Sequence, residues 1–175
     1  MQQGGFSKEH RKMPSAIYPG TFDPITFGHI DIAIRASKIF TRVIAVIANN
    51  PAKNPFFSAE ERFAMAKKAF AGCDRIRVVR YDGLIANCVK DFKASAIIRG
   101  LRALSDFEYE FQMAFTNRNM NRAAETVFMM PSERYTYLNS TMVKQIAKLG
   151  GDISQFVPEA VKGHIMRKMH AKGAR

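Results

Sequence analysis

From Tyr18 to His29 the chain reads Tyr-Pro-Gly-Thr-Phe-Asp-Pro-Ile-Thr-Phe-Gly-His. Two glycines in this string allow close approach of the backbone to a ligand, and two prolines stiffen it. The Thr21 hydroxyl and the His29 imidazole can both donate towards a phosphate seated at the start of the next helix. Free N–H groups and the helix dipole favour an anion there. The commoner phosphate cradles, Gly-x-x-x-x-Gly-Lys-Ser/Thr and Gly-x-Gly-x-x-Gly, do not occur in the chain. A tight turn with a satisfied histidine would explain a lone Gly-His pair, but the whole string favours phosphate chemistry. Lys53 lies in a later loop, a mobile ammonium suited to a phosphate, although an isolated loop lysine is commonly just solvated. Arg99 ends an apolar run, where an unpaired charge would be costly, and so points to a ligand. Glu110 shares the polar face of its helix with Asp106 and Asn117, a face that also reads as merely solvated. Ser140 and Thr141 open a helix, where capping and phosphate binding use the same end.

These residues must be positioned by the segments between them, and those alternate. Ser15–Tyr18 reads as a short strand and is followed by the loop 19–27. A helical pattern then begins at Gly28, with Ile30, Ala33, Ile34 and Ser37 on one face. Val43–Ala48 is an apolar run suited to a central parallel strand. Ser58-Ala59-Glu60-Glu61 is a capping box opening a helix that carries Phe63, Ala66 and Phe70. Arg75–Arg80 and Ser95–Arg99 are further strands, with a helix over Leu84–Phe92 between them. Ser105-Asp106-Phe107-Glu108 reads as a second capping box, starting a helix with Phe107, Phe111, Ala114 and Phe115 inward. Glu125–Met129 is the fifth strand, and helices follow at Ser140–Leu149 and Pro158–Met169. The pattern predicts an α/β, Rossmann-like fold, a five-stranded parallel sheet with helices on both faces. Ligands of such sheets sit beyond the carboxyl ends of the strands. That rule selects the loops after Tyr18, Ala48 and Ile98, where Thr21, Lys53 and Arg99 are found. Residues 14–175 are expected to form one domain, and residues 1–13 a disordered extension or an expression remnant.

Bulk composition narrows the class. The chain has 175 residues, 47% hydrophobic and 24% charged, as an ordinary globular protein does. No apolar run approaches the roughly 20 residues of a membrane helix, and the first twelve residues do not resemble a signal peptide. Cys73 and Cys88 are too far apart for a metal or redox motif, so a cytoplasmic protein with reduced thiols is expected. The net charge of +12 invites a nucleic-acid reading. However, the segment before Pro14 contributes +2 and the segment from Lys162 onward +5. The +5 that remains on the body suits an enzyme with polyanionic substrates, with no nucleic acid or membrane as partner.

Gly20-Thr21-Phe22-Asp23-Pro24 followed by Thr26-Phe27-Gly28-His29 resembles the signature of the cytidylyltransferase-like nucleotidyltransferases. That superfamily shares its histidine motif with class I aminoacyl-tRNA synthetases. Further segments resemble bacterial phosphopantetheine adenylyltransferases: Asn50–Phe57, Leu84–Asn87, Ile97–Arg102, Asp106–Glu110 and Tyr135–Thr141. The resemblance runs in order over residues 14–168. It implies transfer of AMP from ATP to 4′-phosphopantetheine, giving dephospho-coenzyme A and pyrophosphate in coenzyme A biosynthesis. It also implies that His29 stabilises the transition state. By the same resemblance, ATP contacts fall to Thr21, Phe22, His29, Gly100, Leu101, Arg102 and Glu110, with Arg102 on the β- and γ-phosphates. Tyr135, Thr136, Tyr137, Leu138, Asn139, Ser140 and Thr141 complete that set. Acceptor contacts fall to Thr21, Lys53, Ile85 and Arg99. Mg²⁺ bridging the phosphates is the implied cofactor, with no metal ligand assigned to the chain. Coenzyme A and dephospho-coenzyme A are implied as product or feedback ligands, and a homo-hexamer as the assembly. Asn139 departs from the serine usual in the family, but its amide can still donate. A nicotinate mononucleotide adenylyltransferase is the nearest rival, against which the Ile-Arg-Gly-Leu-Arg segment argues. A class I synthetase fragment would need an anticodon domain and a Lys-Met-Ser-Lys-Ser loop. A basic nucleic-acid module would bind generic DNA in a strongly salt-dependent manner.

Overall fold

The computed structural model describes residues 14–49 and 54–173. The expected extension at residues 1–13, and Lys53, lie outside the described residues. Five strands form one all-parallel sheet in the order β3-β2-β1-β4-β5. They are β1 Ser15–Gly20, β2 Arg42–Ala48, β3 Ile76–Tyr81, β4 Ala96–Gly100 and β5 Thr126–Met129. The helices are α1 Phe27–Ile39, α2 Ala59–Ala69, α3 Ile85–Asp91, α4 Leu104–Met120, α5 Ser140–Lys148 and α6 Glu159–Gly173. The α/β expectation therefore holds, with element boundaries within about two residues of those read from the pattern, except that α6 runs four residues beyond Met169.

Alternation along the strands divides the core. Ala16 and Tyr18 of β1, with Val43, Ala45 and Ile47 of β2, face α1, α2, α5 and α6. Ile17, Ile44, Val46 and Ile97 face the opposite way, onto Cys88 and Val89 of α3. Period-two strands buried on both sides are what a parallel sheet between two helix layers requires. From β1 the chain winds outward through β2 to β3, then returns to place β4 on the other side of β1. The loops leaving β1 and β4 therefore diverge, opening a crevice at their carboxyl ends.

Three local expectations need correction. In α1, Ile34 is 39% exposed, and Ile32 and Ala36 are buried in its place. The buried arc is centred near Ala33 and Ala36, which puts position 34 past its edge. The capping box read at Ser105 does not start α4, because the helix begins two residues earlier than that box implies, with Ala103 as its N-cap. On α4 the three aromatic residues expected inward are turned outward, and of the expected set Ala114 alone is half-buried. Phe107, Phe111 and Phe115 are 43%, 44% and 52% exposed, while Asn117 is 6% exposed. The three rings pack on one another, at centroid separations of 5.4 and 4.7 Å. The polar stripe through Asp106, Glu110 and Asn117 is the one turned towards the protein.

Among the described residues, no helix is long and apolar enough to cross a membrane. The packing of the central strand can be tested directly. Ile17 is fully buried on the smaller, α3 face, so Ile17→Ala should cost about 2–5 kcal/mol of unfolding free energy. Urea unfolding followed by circular dichroism measures it. A loss below ~1 kcal/mol would mean that this face is not packed as described.

Candidate active site

Beyond the carboxyl ends of β1 and β4 lies a cleft of about 510 Å³. A smaller pocket of about 130 Å³ adjoins it. Pro19, Gly20, Thr21, Arg99 and Glu110 line both cavities. Of the residues read as contacting ATP, Thr21, Phe22, His29, Gly100, Arg102 and Glu110 line the larger cleft. So do Tyr135, Leu138, Asn139, Ser140 and Thr141. Leu101, Thr136 and Tyr137 stand next to lining residues without lining it themselves. Leu101 donates its N–H to Met129 in β5, and Tyr137 is 62% exposed. Of the residues read as contacting the acceptor, Thr21, Ile85 and Arg99 line the smaller pocket.

The loop after β1 is shaped by close contacts. Phe22 takes a left-handed backbone conformation (φ 48°), on the order of 1–3 kcal/mol unfavourable for a residue with a side chain. Its ring turns back over Gly20, where an added Cβ would meet ring carbon at 2.8 Å, so this position admits only glycine. The same ring packs edge-on to Tyr18 and His29, at 5.4 and 5.1 Å. That burial offsets the strain. At the end of β4, Gly100 likewise leaves room for Ile32, whose tip would lie 2.6 Å from a Cβ.

The protonation of His29 follows from its partners. Its Nδ1 accepts the Thr26 backbone N–H at 3.1 Å and lies 2.9 Å from the Thr26 hydroxyl. A backbone N–H can only donate, so Nδ1 is the unprotonated nitrogen and the neutral ring carries its hydrogen on Nε2. Burial, then the nearby Arg102 charge, lower the pKa of His29 to about 4. The imidazole is therefore a neutral single-proton donor at physiological pH.

Two helix N-termini border the cleft, that of α1 at Gly28 and His29 and that of α5 at Ser140 and Thr141. Asn139 caps α5, its side-chain oxygen accepting the Met142 N–H at 2.8 Å, which leaves the amide hydrogens of Asn139 for other partners. The Ser140 hydroxyl donates to the Pro24 carbonyl at 2.7 Å, joining α5 to the β1 loop. Asp31 of α1 accepts both the N–H and the hydroxyl of Ser132 (2.9 and 2.7 Å), which fixes the segment leading to Tyr135. Arg102 pairs with Asp106 one helical turn away, at 3.1 Å with both side chains partly exposed. Such a pair is worth about 0.3–0.5 kcal/mol, so phosphate oxygens can compete for the guanidinium.

Arg99 is held more firmly. Its guanidinium grips the Glu110 carboxylate in two bonds of 2.6 and 2.5 Å and donates to the Pro19 carbonyl at 2.8 Å. The solvated reading of the Glu110 face is thereby corrected, because that carboxylate is the counter-ion of a half-buried arginine. Burial, opposed by the bonds to Glu110, leaves the pKa of Arg99 above its ordinary value. A guanidinium has donors beyond those three for a ligand in either cavity.

Sequence reasoning missed several lining residues. Lys144 borders the cleft and bonds the Asp23 carboxylate at 2.5 Å. In the smaller pocket, Asn117 and Thr126 supply polar atoms among Ile85, Met113 and Ala114. The Thr126 hydroxyl is buried and finds no hydrogen-bond partner among the described residues. Asp106, Glu110 and Asn117, spaced four and seven places apart on one helix face, were the available signal, but the aromatic stripe beside them drew the inward assignment.

A sequence model of the family described as "Cytidylyltransferase-like" matches residues 17–146. Among curated relatives, a phosphopantetheine adenylyltransferase of Methylococcus capsulatus is 49% identical over 91% of this chain and 98% of its own length. One from Caldanaerobacter subterraneus is 48% identical over 89% of this chain and 98% of its own. A third, from Thioalkalivibrio sulfidiphilus, is 46% identical over 88% and 97%. With the histidine loop, the strand order and the paired cavities all in place, the chain belongs to the phosphopantetheine adenylyltransferases of the cytidylyltransferase-like family.

Proposed function

We propose that the chain transfers AMP from ATP to 4′-phosphopantetheine, giving dephospho-coenzyme A and pyrophosphate, within one cytoplasmic nucleotidyltransferase domain spanning residues 14–175. One observation carries the reading: a nucleotide-sized cleft and a smaller, mixed-polarity pocket meet on a shared wall containing Thr21 and Arg99. Two substrates bound side by side would meet there. Polar atoms of Asn117 and Thr126 among apolar side chains suit an acceptor arm in which amides interrupt methylene segments.

A phosphomonoester has its second pKa near ~6, so the acceptor is largely a dianion at neutral pH and already nucleophilic. No general base is needed. What the chain supplies is alignment of two polyanions and compensation of charge at the α-phosphoryl group. In this reading the neutral Nε2–H of His29 and the Thr21 hydroxyl donate to that group. Arg99 and Lys53 hold the incoming phosphate. Arg102, the α5 N-terminus, Ser140 and Thr141 take the pyrophosphate, and Gly100, Leu101 and residues 135–138 enclose the nucleoside. Coenzyme A and dephospho-coenzyme A, which span both cavities, are the product-side ligands.

Among the described residues, no group of three or more His, Cys, Asp or Glu side chains could hold a metal ion. Asp23, the carboxylate lining the cleft near the β1 loop, is bound by two backbone N–H groups and Lys144. A Mg²⁺ ion would then have to be brought in with the triphosphate, as the family resemblance implies. Such an ion would supply charge neutralisation on the triphosphate. Arg102, Ser140 and Thr141 would orient the phosphates that carry it. The aromatic face of α4 at Phe107, Phe111 and Phe115 supports the further proposal that the enzyme is a homo-hexamer in which subunit contacts cover that face.

Incubation of the purified protein with ATP and 4′-phosphopantetheine should yield dephospho-coenzyme A, and absence of that product by mass spectrometry would refute the assignment. His29→Ala should lower kcat by about 10²–10³-fold, the usual loss for one transition-state donor, with ATP affinity nearly unchanged. In the wild type, kcat/KM should rise with pH through ~6 as the acceptor phosphate ionises. It should show no inflection from His29 above its pKa of about 4. An inflection above pH 5 that vanishes in His29→Ala would show that the histidine titrates during turnover. Lys53→Ala should weaken the acceptor by calorimetry while leaving ATP within a few-fold, and the reverse pattern would exchange the two pockets. By light scattering the solution mass should be about six times 19.7 kDa. Phe111→Glu should lower it, and an unchanged mass would move the interface elsewhere.

A further inference from the structure

The largest fully buried side chain is a charged one, Arg62, 1% exposed in the first turns of α2. The placement is unfavourable twice over. Burial removes the guanidinium from water, and the N-terminal end of a helix repels a cation. Among the described residues Arg62 forms no ion pair. Its bonds go to three backbone carbonyls: Nε to Phe57 at 3.2 Å, and one terminal nitrogen to Thr21 at 2.7 Å and Ala48 at 3.2 Å.

Those carbonyls are not incidental ones. Thr21 lines both cavities, and its carbonyl begins the peptide that leads into the left-handed Phe22. Ala48 is the last residue of β2 and lines the smaller pocket. Phe57 closes the connection from β2 to α2, and its N–H, with that of Phe56, is bound by Asp23 at 2.8 and 2.9 Å. A planar fork reaching three carbonyls at once fixes their relative positions in a way that apolar contact cannot. Neither cavity is lined by Arg62 itself.

We propose that Arg62 is a positioning residue for the acceptor side of the reaction, acting through Thr21, Ala48 and Phe57 without touching either substrate. The inference rests on the assignment of the smaller pocket to the acceptor. Two walls of that pocket are fixed by Arg62, whereas ATP is also held by α5, Arg102 and the residues after β5, which Arg62 does not reach. Loss of the fork therefore acts unevenly. Acceptor binding and alignment suffer, and ground-state ATP binding does not.

The test uses the full-length protein with R62K, which keeps the charge and loses the fork, and R62Q, which keeps a donor and loses the charge. Val161→Ala, a fully buried site in α6, serves as a control of matched thermal stability. Both Arg62 variants should raise KM for 4′-phosphopantetheine and lower kcat, each by about tenfold or more, with R62K the milder. KM for ATP should stay within about threefold. A merely structural arginine would instead behave like Val161→Ala, with less folded enzyme and unchanged KM values. Hydrogen exchange without substrate supplies a second readout. In both variants the amides of Thr21, Phe22, Asn54, Phe56 and Phe57 should exchange about tenfold or more faster, relative to the control, while those of β1 and β4 do not. Equal KM values together with exchange that rises everywhere, as in the control, would overturn the proposal. Turnover by the wild type tests the functional assignment, whereas exchange uses no substrate. Failure of the assignment is thereby distinguishable from failure of the positioning role.

Discussion

A carboxylate taken out of water must be given partners, and Asp23, 6% exposed in the middle of the histidine loop, takes them from two distant segments. Phe56 and Phe57 donate their backbone N–H groups from the β2–α2 connection, and Lys144 donates its ammonium from α5. Three segments of the chain, two of which line the larger cleft, thus meet at one negative charge. Asp23 is the more buried member of its pair with Lys144, so removing a partner would leave a charge poorly compensated. The loop can therefore hold a strained Phe22, because the surrounding structure determines its path more strongly than the local preference of the residue does.

Arg62 supplies the counterpart on the opposite sign. Asp23 binds the N–H groups of the connection and Arg62 binds a carbonyl of it, so the same few peptides are gripped by an anion and a cation from different elements. Lys168 of α6 adds a third restraint, its ammonium lying over the rings of Phe56 and Phe57 and paired with Glu61. Glu61 is also the carboxylate of the α2 capping box, accepting the Ser58 N–H at 2.7 Å. A capping interaction read from four consecutive residues is in this way continuous with the network around the site.

How much of this was legible depended on the range of the interaction. The strands and the α2 capping box are local patterns, and the sequence reading of each agrees with the structure, as does the place of the loop after β1 at the carboxyl edge of the sheet. Ser105 failed as a cap because the four-residue capping pattern recurs inside helices, and only the chain path shows that Ala103 precedes the first turn. The outward turn of the α4 rings has a different cause. Amphipathicity assigns the apolar face to the core of the same chain, a rule that fails where the inward face borders a charged ligand site and where the outward face has its own apolar neighbours. Arg62 was unreadable for a similar reason. In a helix written Ala-Glu-Glu-Arg-Phe it looks like an ordinary solvated charge, and the three carbonyls that bury it are contributed by residues 5, 14 and 41 positions away.

The proton inventory of the cleft is consistent with a reaction that transfers no proton to the protein. His29 is held neutral by burial and by Arg102, and its acceptor nitrogen is occupied by Thr26, so it has one hydrogen to donate and no ready means of taking one up. Tyr18, which also lines the cleft, is kept protonated by burial, well above the ordinary phenol range. Glu110 and Asp23 are each engaged with a cation, which leaves neither free to act as a base. A site that had to deprotonate a hydroxyl would need a group titrating near neutrality within reach of it. A phosphate dianion has no such requirement. The chemistry then reduces to placing two sets of phosphate oxygens among fixed donors. This accounts for a site whose charged side chains are so largely spent on holding backbone and one another in position.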